Sequence, residues 1–345
     1  MCRWAWAQRH PALLFGRGDV GRAASGRYRQ PMQTSTHTVT ATDGTPLFVH
    51  HWLPEGQPKA VVQIAHGMAE HSGRYARFAE RLTSAGYTVY AGDLRGHGQT
   101  GSSTTPDHLY FADALGFPTV VEDLKEVTAI ARSEQPDLPV FLLGHSMGSF
   151  LARAYAIRWG GELDGLVLLG TSADQGLIRM LGQNLARLQT RVLSRRHRSK
   201  LLDGMASGRF NAAFKPNRTP FDWLTRDEAE VDAFIADVEC GNLFTTGAWL
   251  DQVEAIVWIN QDANVAHVPD DLPILLASGE MDPVGDMTKG VRKVAEQFRR
   301  AGVRDLTTIF YPGARHELLN ETNRDEVMDD IVEWLDQHVA AAGSR

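Results

Sequence analysis

Gly144-His145-Ser146-Met147-Gly148 constrains this chain more than any other stretch. The apolar run Val140-Phe141-Leu142-Leu143 precedes it, and an Ala/Leu-rich segment beginning near Phe150 follows. The pattern reads as a buried strand, a sharp turn and a helix, with a serine at the apex of the turn. So tight a turn forces unusual backbone angles on the serine and crowds the residues two before and two after it, which is why Gly144 and Gly148 stand there. The strain pushes the Ser146 hydroxyl out over the helix N-terminus, where backbone N–H groups face any developing negative charge. A glycine-flanked serine is common by chance; between such a strand and such a helix it marks a nucleophile elbow.

Around the elbow, strands and helices alternate. Thr38–Ala41 and Leu47–Trp52 read as a hairpin turning at Asp43-Gly44. Val61–Ala65 is a continuous apolar run, as expected of a strand covered on both faces, Leu166–Leu169 reads as a further buried strand, and Thr88–Ala91, Ile274–Ala277 and Leu306–Phe310 read as strands. Tyr75, Phe78, Ala79 and Leu82 recur at helical spacing up to Gly86, and Pro118 opens a helix carrying Val121, Leu124 and Thr128 on one face. A helix is expected over Lys289–Arg300, and a last one with Val327, Ile331, Trp334 and Leu335 in one stripe, started by an Asn323/Glu326 capping box. This alternation predicts an α/β fold with a mostly parallel, doubly wound sheet.

The rhythm breaks between residues 171 and 250. That stretch holds a basic run from Arg191 to Lys200 and scattered bulky residues, with no strand pattern. It reads as a helical cap inserted into a core of residues 32–170 and 251–345. Most of its aromatics pack the insertion onto the body; Trp223, Phe244 and Trp249 are candidates for lining an acyl pocket. The apolar residues of the cap show no amphipathic period long enough to establish a membrane face, so the cap is only a candidate for transient membrane-surface contact.

Residues 1–31 differ from the rest, with six arginines, no lysine and Asp19 as the single acid. This composition is formally that of an organelle transit peptide; the preferred reading is a start at Met32, and disorder is expected on either. The net charge of −7 argues against a nucleic-acid partner. Cys2 and Cys240 have no metal-ligand spacing and give no disulfide framework, so no metal or cofactor is expected and a cytoplasmic location is the working expectation.

A serine nucleophile needs a base, and the base an orienting acid, each on a loop after a strand and in the chain order serine, acid, histidine. Asp282 follows the strand ending at Ala277, and His316 follows the strand ending at Phe310. Both fall at the strand edge that carries Ser146, where open α/β sheets bind ligands. Glu280 and Asp286 are rival acids; Asp282 is preferred for the proline beside it. His66, His71 and His97 lie in loops at this edge, in the wrong order for a base, and are expected to hydrogen-bond the loops instead. The backbone N–H groups of Met68 and Met147 are the expected oxyanion donors.

His66-Gly67-Met68-Ala69-Glu70-His71-Ser72-Gly73-Arg74-Tyr75, Asp93-Leu94-Arg95-Gly96-His97-Gly98 and the elbow resemble the monoacylglycerol lipase and lysophospholipase branch of the α/β-hydrolases, also labelled serine aminopeptidase S33-like or Hydrolase_4. Asp282-Pro283-Val284, Arg315-His316-Glu317 and Phe221-Asp222-Trp223-Leu224 match the same group, and the likeness runs from Met32 to the C-terminus. The resemblance implies an α/β-hydrolase fold, Ser146 as nucleophile, Asp282 as acid, His316 as base, Met68 and Met147 at the oxyanion hole, and a mobile cap over an acyl tunnel. It implies hydrolysis of fatty-acid esters, with monoacylglycerol or lysophospholipid as substrate. Ser149 departs from the family pattern, in which a second glycine often follows the elbow. A peptidase, thioesterase or acyltransferase using the same residues, and a non-catalytic ligand-binding protein on the same scaffold, are the alternatives. No acidic cluster in the cap is evident to hold a peptide's free amine, and the oligomeric state is not legible.

Overall fold

A computed structural model describes residues 32–342; the leader assigned to residues 1–31 lies outside the described residues. Eight strands form one sheet: β1 (Gln33–Thr40), β2 (Pro46–Leu53), β3 (Ala60–Ala65), β4 (Tyr87–Gly92), β5 (Val140–His145), β6 (Gly165–Leu169), β7 (Ile274–Gly279) and β8 (Leu306–Tyr311). Their order is β1-β2-β4-β3-β5-β6-β7-β8. Only β2 runs against the rest, pairing antiparallel with β1 and β4; every other neighbouring pair is parallel. The continuous apolar runs of β3, β5, β6 and β7 are buried at every position, because helices cover both faces.

The helices of the core are α1 (Ala76–Ser84), α2 (Gly116–Glu134) and α3 (Met147–Trp159). The insertion supplies α4 (Leu177–Val192), α5 (Lys200–Asp203), α6 (Arg209–Ala212), α7 (Glu228–Ala236) and α8 (Thr246–Ile259), and α9 (Asp262–Val265), α10 (Lys289–Arg300) and α11 (Arg324–Ala342) complete the chain. Side chains alternate across the sheet with the period of two that a strand imposes. Val140, Leu142, Leu166 and Leu168 join the core under α2, α3, α8 and α10, while Phe141, Leu143, Val167 and Leu169 join the core under α1 and α11.

Two helix starts differ in detail from expectation. α2 begins at Gly116, two residues before Pro118, because Leu115 takes a left-handed conformation (φ 52°) that turns the chain into the helix early. At α11 the Asn323 amide donates to the Glu326 carboxylate at 2.8 Å, a side-chain pair in place of a reciprocal capping box.

Between β6 and β7 the regular elements of the described residues are helices, and α8 runs through residue 250, where the sequence suggests that the insertion ends. The basic run after α4 ties this segment to α8, to the loop before α8 and to the loop after β4. Arg195 pairs with Asp251 at 2.6 Å, Arg196 with Asp107, and Arg198 donates to the carbonyls of Leu243 (2.7 Å) and His108 (2.8 Å).

Candidate active site

Ser146 sits between β5 and α3 with φ 52° and ψ −117°, a conformation that L-residues rarely adopt. The flanking glycines answer a steric demand. A Cβ on Gly144 would lie 2.3 Å from the Gly148 carbonyl oxygen, and one on Gly148 would lie 2.0 Å from the Ala65 carbonyl oxygen. Ser149 is buried, and its hydroxyl donates to the Ser146 carbonyl at 2.5 Å.

The loops after β7 and β8 bring two further side chains to this point. Nε2 of His316 lies 2.8 Å from the Ser146 hydroxyl oxygen, and its Nδ1 lies 3.0 Å from an Asp282 carboxylate oxygen. Both residues are buried. The same Asp282 oxygen accepts the Val284 amide at 2.9 Å, which fixes the carboxylate within its loop. Glu280 and Asp286 are exposed and do not meet the histidine, so of the three acids only Asp282 reaches it. His316 thus turns Nδ1 to the Asp282 carboxylate and Nε2 to the serine hydroxyl.

Met68 and Met147 flank the serine from the loop after β3 and from the first residue of α3, where helix N–H groups lack intrahelical partners. A buried polar network holds these loops. The Glu70 carboxylate accepts the Gly67 amide at 2.6 Å, the Tyr75 hydroxyl at 3.0 Å and the His145 ring at 3.2 Å. Arg74 joins Glu70 at 2.6 Å to Glu317, which it grips through two nitrogens at 2.8 Å. Burial opposes the Glu70 charge, but Arg74 and His145 outweigh it and hold the carboxyl well below its usual range. One network therefore reaches the chain neighbours of Met68, Ser146 and His316. Sequence reasoning passed over it, although Glu70 and Arg74 stand at helical i,i+4 spacing inside the quoted motif.

Of the three histidines in the loops at this edge, His66 and His97 bond loop backbone and His71 does not. The Leu94 amide donates to Nε2 of His66 at 2.9 Å, so Nδ1 carries the proton and donates to the Gly67 carbonyl at 2.8 Å. His97 contacts the Arg95 carbonyl at 3.0 Å, and His71 reaches Asp237 of the cap at 2.8 Å.

Above Ser146 opens a cleft of about 1410 Å³, its open mouth included. Its lining includes Phe150, Leu202, Met205 and Ile256, with Ser146 and His316 at its floor. Trp223 and Trp249 both line it, and the Trp223 ring lies 5.0 Å from the His316 ring. Phe244 does not line it, which corrects the expectation from sequence. It is buried, 5.5 Å from Phe111 and 5.7 Å from Trp249, because Thr245 bonds the Leu109 carbonyl through its hydroxyl and turns the preceding residue inward. The acids at the cleft wall are Glu70 and Glu317, both engaged by Arg74, and Asp203.

The sheet order, the strained serine after β5, the acid after β7 and the histidine after β8 define an α/β-hydrolase. The serine aminopeptidase S33 family, Hydrolase_4, matches residues 56–323. The chain is 31% identical over 312 residues to a monoacylglycerol lipase of Mycolicibacterium smegmatis, covering 88% of this chain and 98% of that one. It is 30% identical over 318 residues to the monoglyceride lipase of Homo sapiens, covering 91% and 94%. Among solved structures, a thermostable carboxyl esterase from Bacillus coagulans superposes with a TM-score of 0.83 at 28% identity, covering 89% of this chain and 99% of that one. The chain belongs to the Hydrolase_4 family and, within it, to the monoacylglycerol lipase-like branch of carboxylic-ester hydrolases. Among the described residues, no helix is long and apolar enough to cross a membrane.

Proposed function

We propose that this enzyme hydrolyses fatty-acid esters of small alcohols, monoacylglycerols first and lysophospholipids second, through an acyl-enzyme on Ser146. The observation that carries the reading is the hydrogen-bonded line from Asp282 through His316 to Ser146 at the floor of a largely apolar cleft. Ser146 Oγ attacks the ester carbonyl carbon while His316 Nε2 takes its proton. The carbonyl oxygen becomes an oxyanion held by the backbone N–H groups of Met68 and Met147, each worth about 3–4 kcal/mol in the transition state. Collapse breaks the bond to the alcohol oxygen, which leaves with the proton from His316. Water then gives its proton to His316 and attacks the acyl carbon; the bond from that carbon to Ser146 Oγ breaks, His316 returns the proton to Oγ, and the fatty acid leaves. Asp282 keeps the imidazole in the tautomer this needs and offsets its charge once protonated.

The cap supplies the acyl pocket in this reading, with Trp223 and Trp249 among its walls. Its later part is tied to the catalytic loops by the Glu317 amide on the Leu224 carbonyl (2.7 Å) and the Gly241 amide on the Ala69 carbonyl (2.9 Å). The outer face of α4 exposes Leu177, Leu181, Leu188 and Val192 and is the proposed contact with a lipid surface.

The test is fatty-acid release from a monoacylglycerol by wild type and by Ser146→Ala. Release by wild type alone supports the reading. Silence in both, with the proteins folded, overturns it in favour of a thioester or amide substrate.

A further inference from the structure

We propose that His37, His51 and Glu134 bind one divalent transition-metal ion of the zinc type at the antiparallel edge of the sheet, on β1, β2 and the last residue of α2 and so outside the catalytic loops.

The register builds the site. Ser35 of β1 stands opposite His51 of β2, and His51 stands opposite Tyr90 of β4. His37 is two residues along from Ser35, and Thr88 two from Tyr90, so all five side chains share one face. Glu134 closes over that face. The three candidate ligands each offer one atom within 4.8 Å of the others.

His51 is already oriented as a ligand. The Thr88 hydroxyl donates to the Trp52 carbonyl at 3.3 Å, so its oxygen accepts the Nε2–H of His51 at 2.9 Å. That leaves the Nδ1 lone pair of a neutral His51 3.0 Å from Nε2 of His37, 3.4 Å from the Ser35 hydroxyl and 3.9 Å from a Glu134 oxygen. Metal-bound histidines are commonly fixed in this way by a hydrogen bond at the other ring nitrogen. Tyr90 supports the set twice, stacking its ring 4.1 Å from the His51 ring and donating its hydroxyl to Glu134 at 2.6 Å.

The spacing suits zinc. Bonds of about 2.0–2.1 Å in a tetrahedron place ligand atoms about 3.3 Å apart, and the separations of 3.0 and 3.9 Å bracket that value. Small movements of His37 and Glu134, whose side chains are 27% and 37% exposed, bring the atoms to it. Binding needs the His37 proton on Nδ1, which faces the other Glu134 oxygen at 3.6 Å. Two imidazoles and a carboxylate leave the fourth position open to water.

The charge at Glu134 points the same way. It ends α2, where the helix carbonyls disfavour an anion and favour a cation. Among the described residues no lysine or arginine pairs with it; its ionic partners are His37 and His51. An ion there would clamp the edge strand β1 to β2 and α2. A second group, His71 with Asp237 and Cys240, is the rival site, and burial pushes its thiol up, against the thiolate a metal needs.

The test is Zn2+ binding by the full chain after chelator dialysis, read by competition with a chromophoric chelator and by the shift in Tm. Wild type is expected to take one ion per chain with a rise in Tm. His37→Gln and Glu134→Gln, both at partly exposed positions, should abolish the ion and the rise. Thr88→Val should weaken affinity by about 10–100-fold, and His71→Gln should change nothing. Absence of stoichiometric binding in wild type, binding that survives both His37→Gln and Glu134→Gln, or loss in His71→Gln would each overturn the assignment.

Discussion

The Glu70 carboxylate accepts the Gly67 amide at 2.6 Å, one residue before the backbone N–H proposed as an oxyanion donor. There is no slack in this contact, since a Cβ on Gly67 would itself lie 2.6 Å from the same carboxylate oxygen. The loop conformation at Met68 thus depends on a buried side chain that takes no part in proton transfer. Glu70→Ala should lower kcat on a soluble p-nitrophenyl ester by on the order of 10²-fold, the scale of losing one oxyanion donor, with KM little changed. Glu70→Gln keeps an acceptor for Gly67 and should recover part of the loss. Equal kcat values for the two variants would separate the loop from this contact.

The Glu70–His145 pair makes a statement about pH. Burial pushes the His145 imidazole down, but the hydrogen bond and charge of Glu70 outweigh it, so its folded pKa lies above the usual 6.5. A raised value stabilises the fold fully below 6.5, and that stability is lost as pH rises through the folded pKa. The Glu70 carboxyl is held below its usual 4.5, so its contribution is present above 4.5 and fades as pH falls through its folded pKa. The pair therefore contributes most between these ordinary values of 4.5 and 6.5. His145→Gln should cost more in Tm at pH 6 than at pH 9, read by differential scanning fluorimetry. A Tm difference that is flat across that range would mean that the fold does not raise the His145 pKa.

Backbone strain at Ser146 separates stability from activity. Its φ of 52° and ψ of −117° suit glycine better than any L-residue. Ser146→Gly and Ser146→Ala both remove the hydroxyl and its bond to His316, so the two differ mainly in strain. Strain of this kind costs about 1–3 kcal/mol, against which glycine loses about 0.5–1 kcal/mol of chain entropy. Ser146→Gly should be more stable than Ser146→Ala by about 1 kcal/mol in urea titration, with both inactive. Residual ester hydrolysis in either variant would remove Ser146 from the mechanism.

Where burial on both faces made strands continuous and apolar, as at Val61–Ala65 and Leu166–Leu169, the pattern alone was enough to place them. The elbow was legible for a different reason: its serine and both glycines stand within five consecutive residues, although the clash that Gly148 avoids is with Ala65 of β3. Phe244 was not, because its direction is set by Thr245 bonding to Leu109, 136 residues away. Arg74 and Glu317 each stand in a quoted motif, but their link spans 243 residues, so the two motifs did not show that they meet. The His37, His51 and Glu134 group is hidden for the same reason, since two strands and a helix end must meet before the three residues become a set. In α4 the sequence could not say which side of the helix would be covered by the body.

That outer side of α4 bears the last prediction. Leu177, Leu181, Leu188 and Val192 are 65%, 54%, 59% and 70% exposed. At about 100° per residue they fall within an arc of about 60°, a stripe pointing away from the body. Gln183 and Ala186 occupy the opposite side and are buried. Ile178, beside the stripe, lines the cleft, so a surface touching the stripe would also touch the mouth through which an acyl chain enters. Full burial of one leucine is worth about 1.5–3 kcal/mol, and shallow insertion of two realises a fraction of that from each. Leu181→Ser with Leu188→Ser should therefore reduce co-sedimentation with phosphatidylcholine vesicles by about tenfold. Hydrolysis of vesicle-borne monoacylglycerol should fall in step, while a soluble short-chain ester is turned over at the wild-type rate. Equal losses on both substrates would place these leucines in the packing of the cap instead of at a lipid surface.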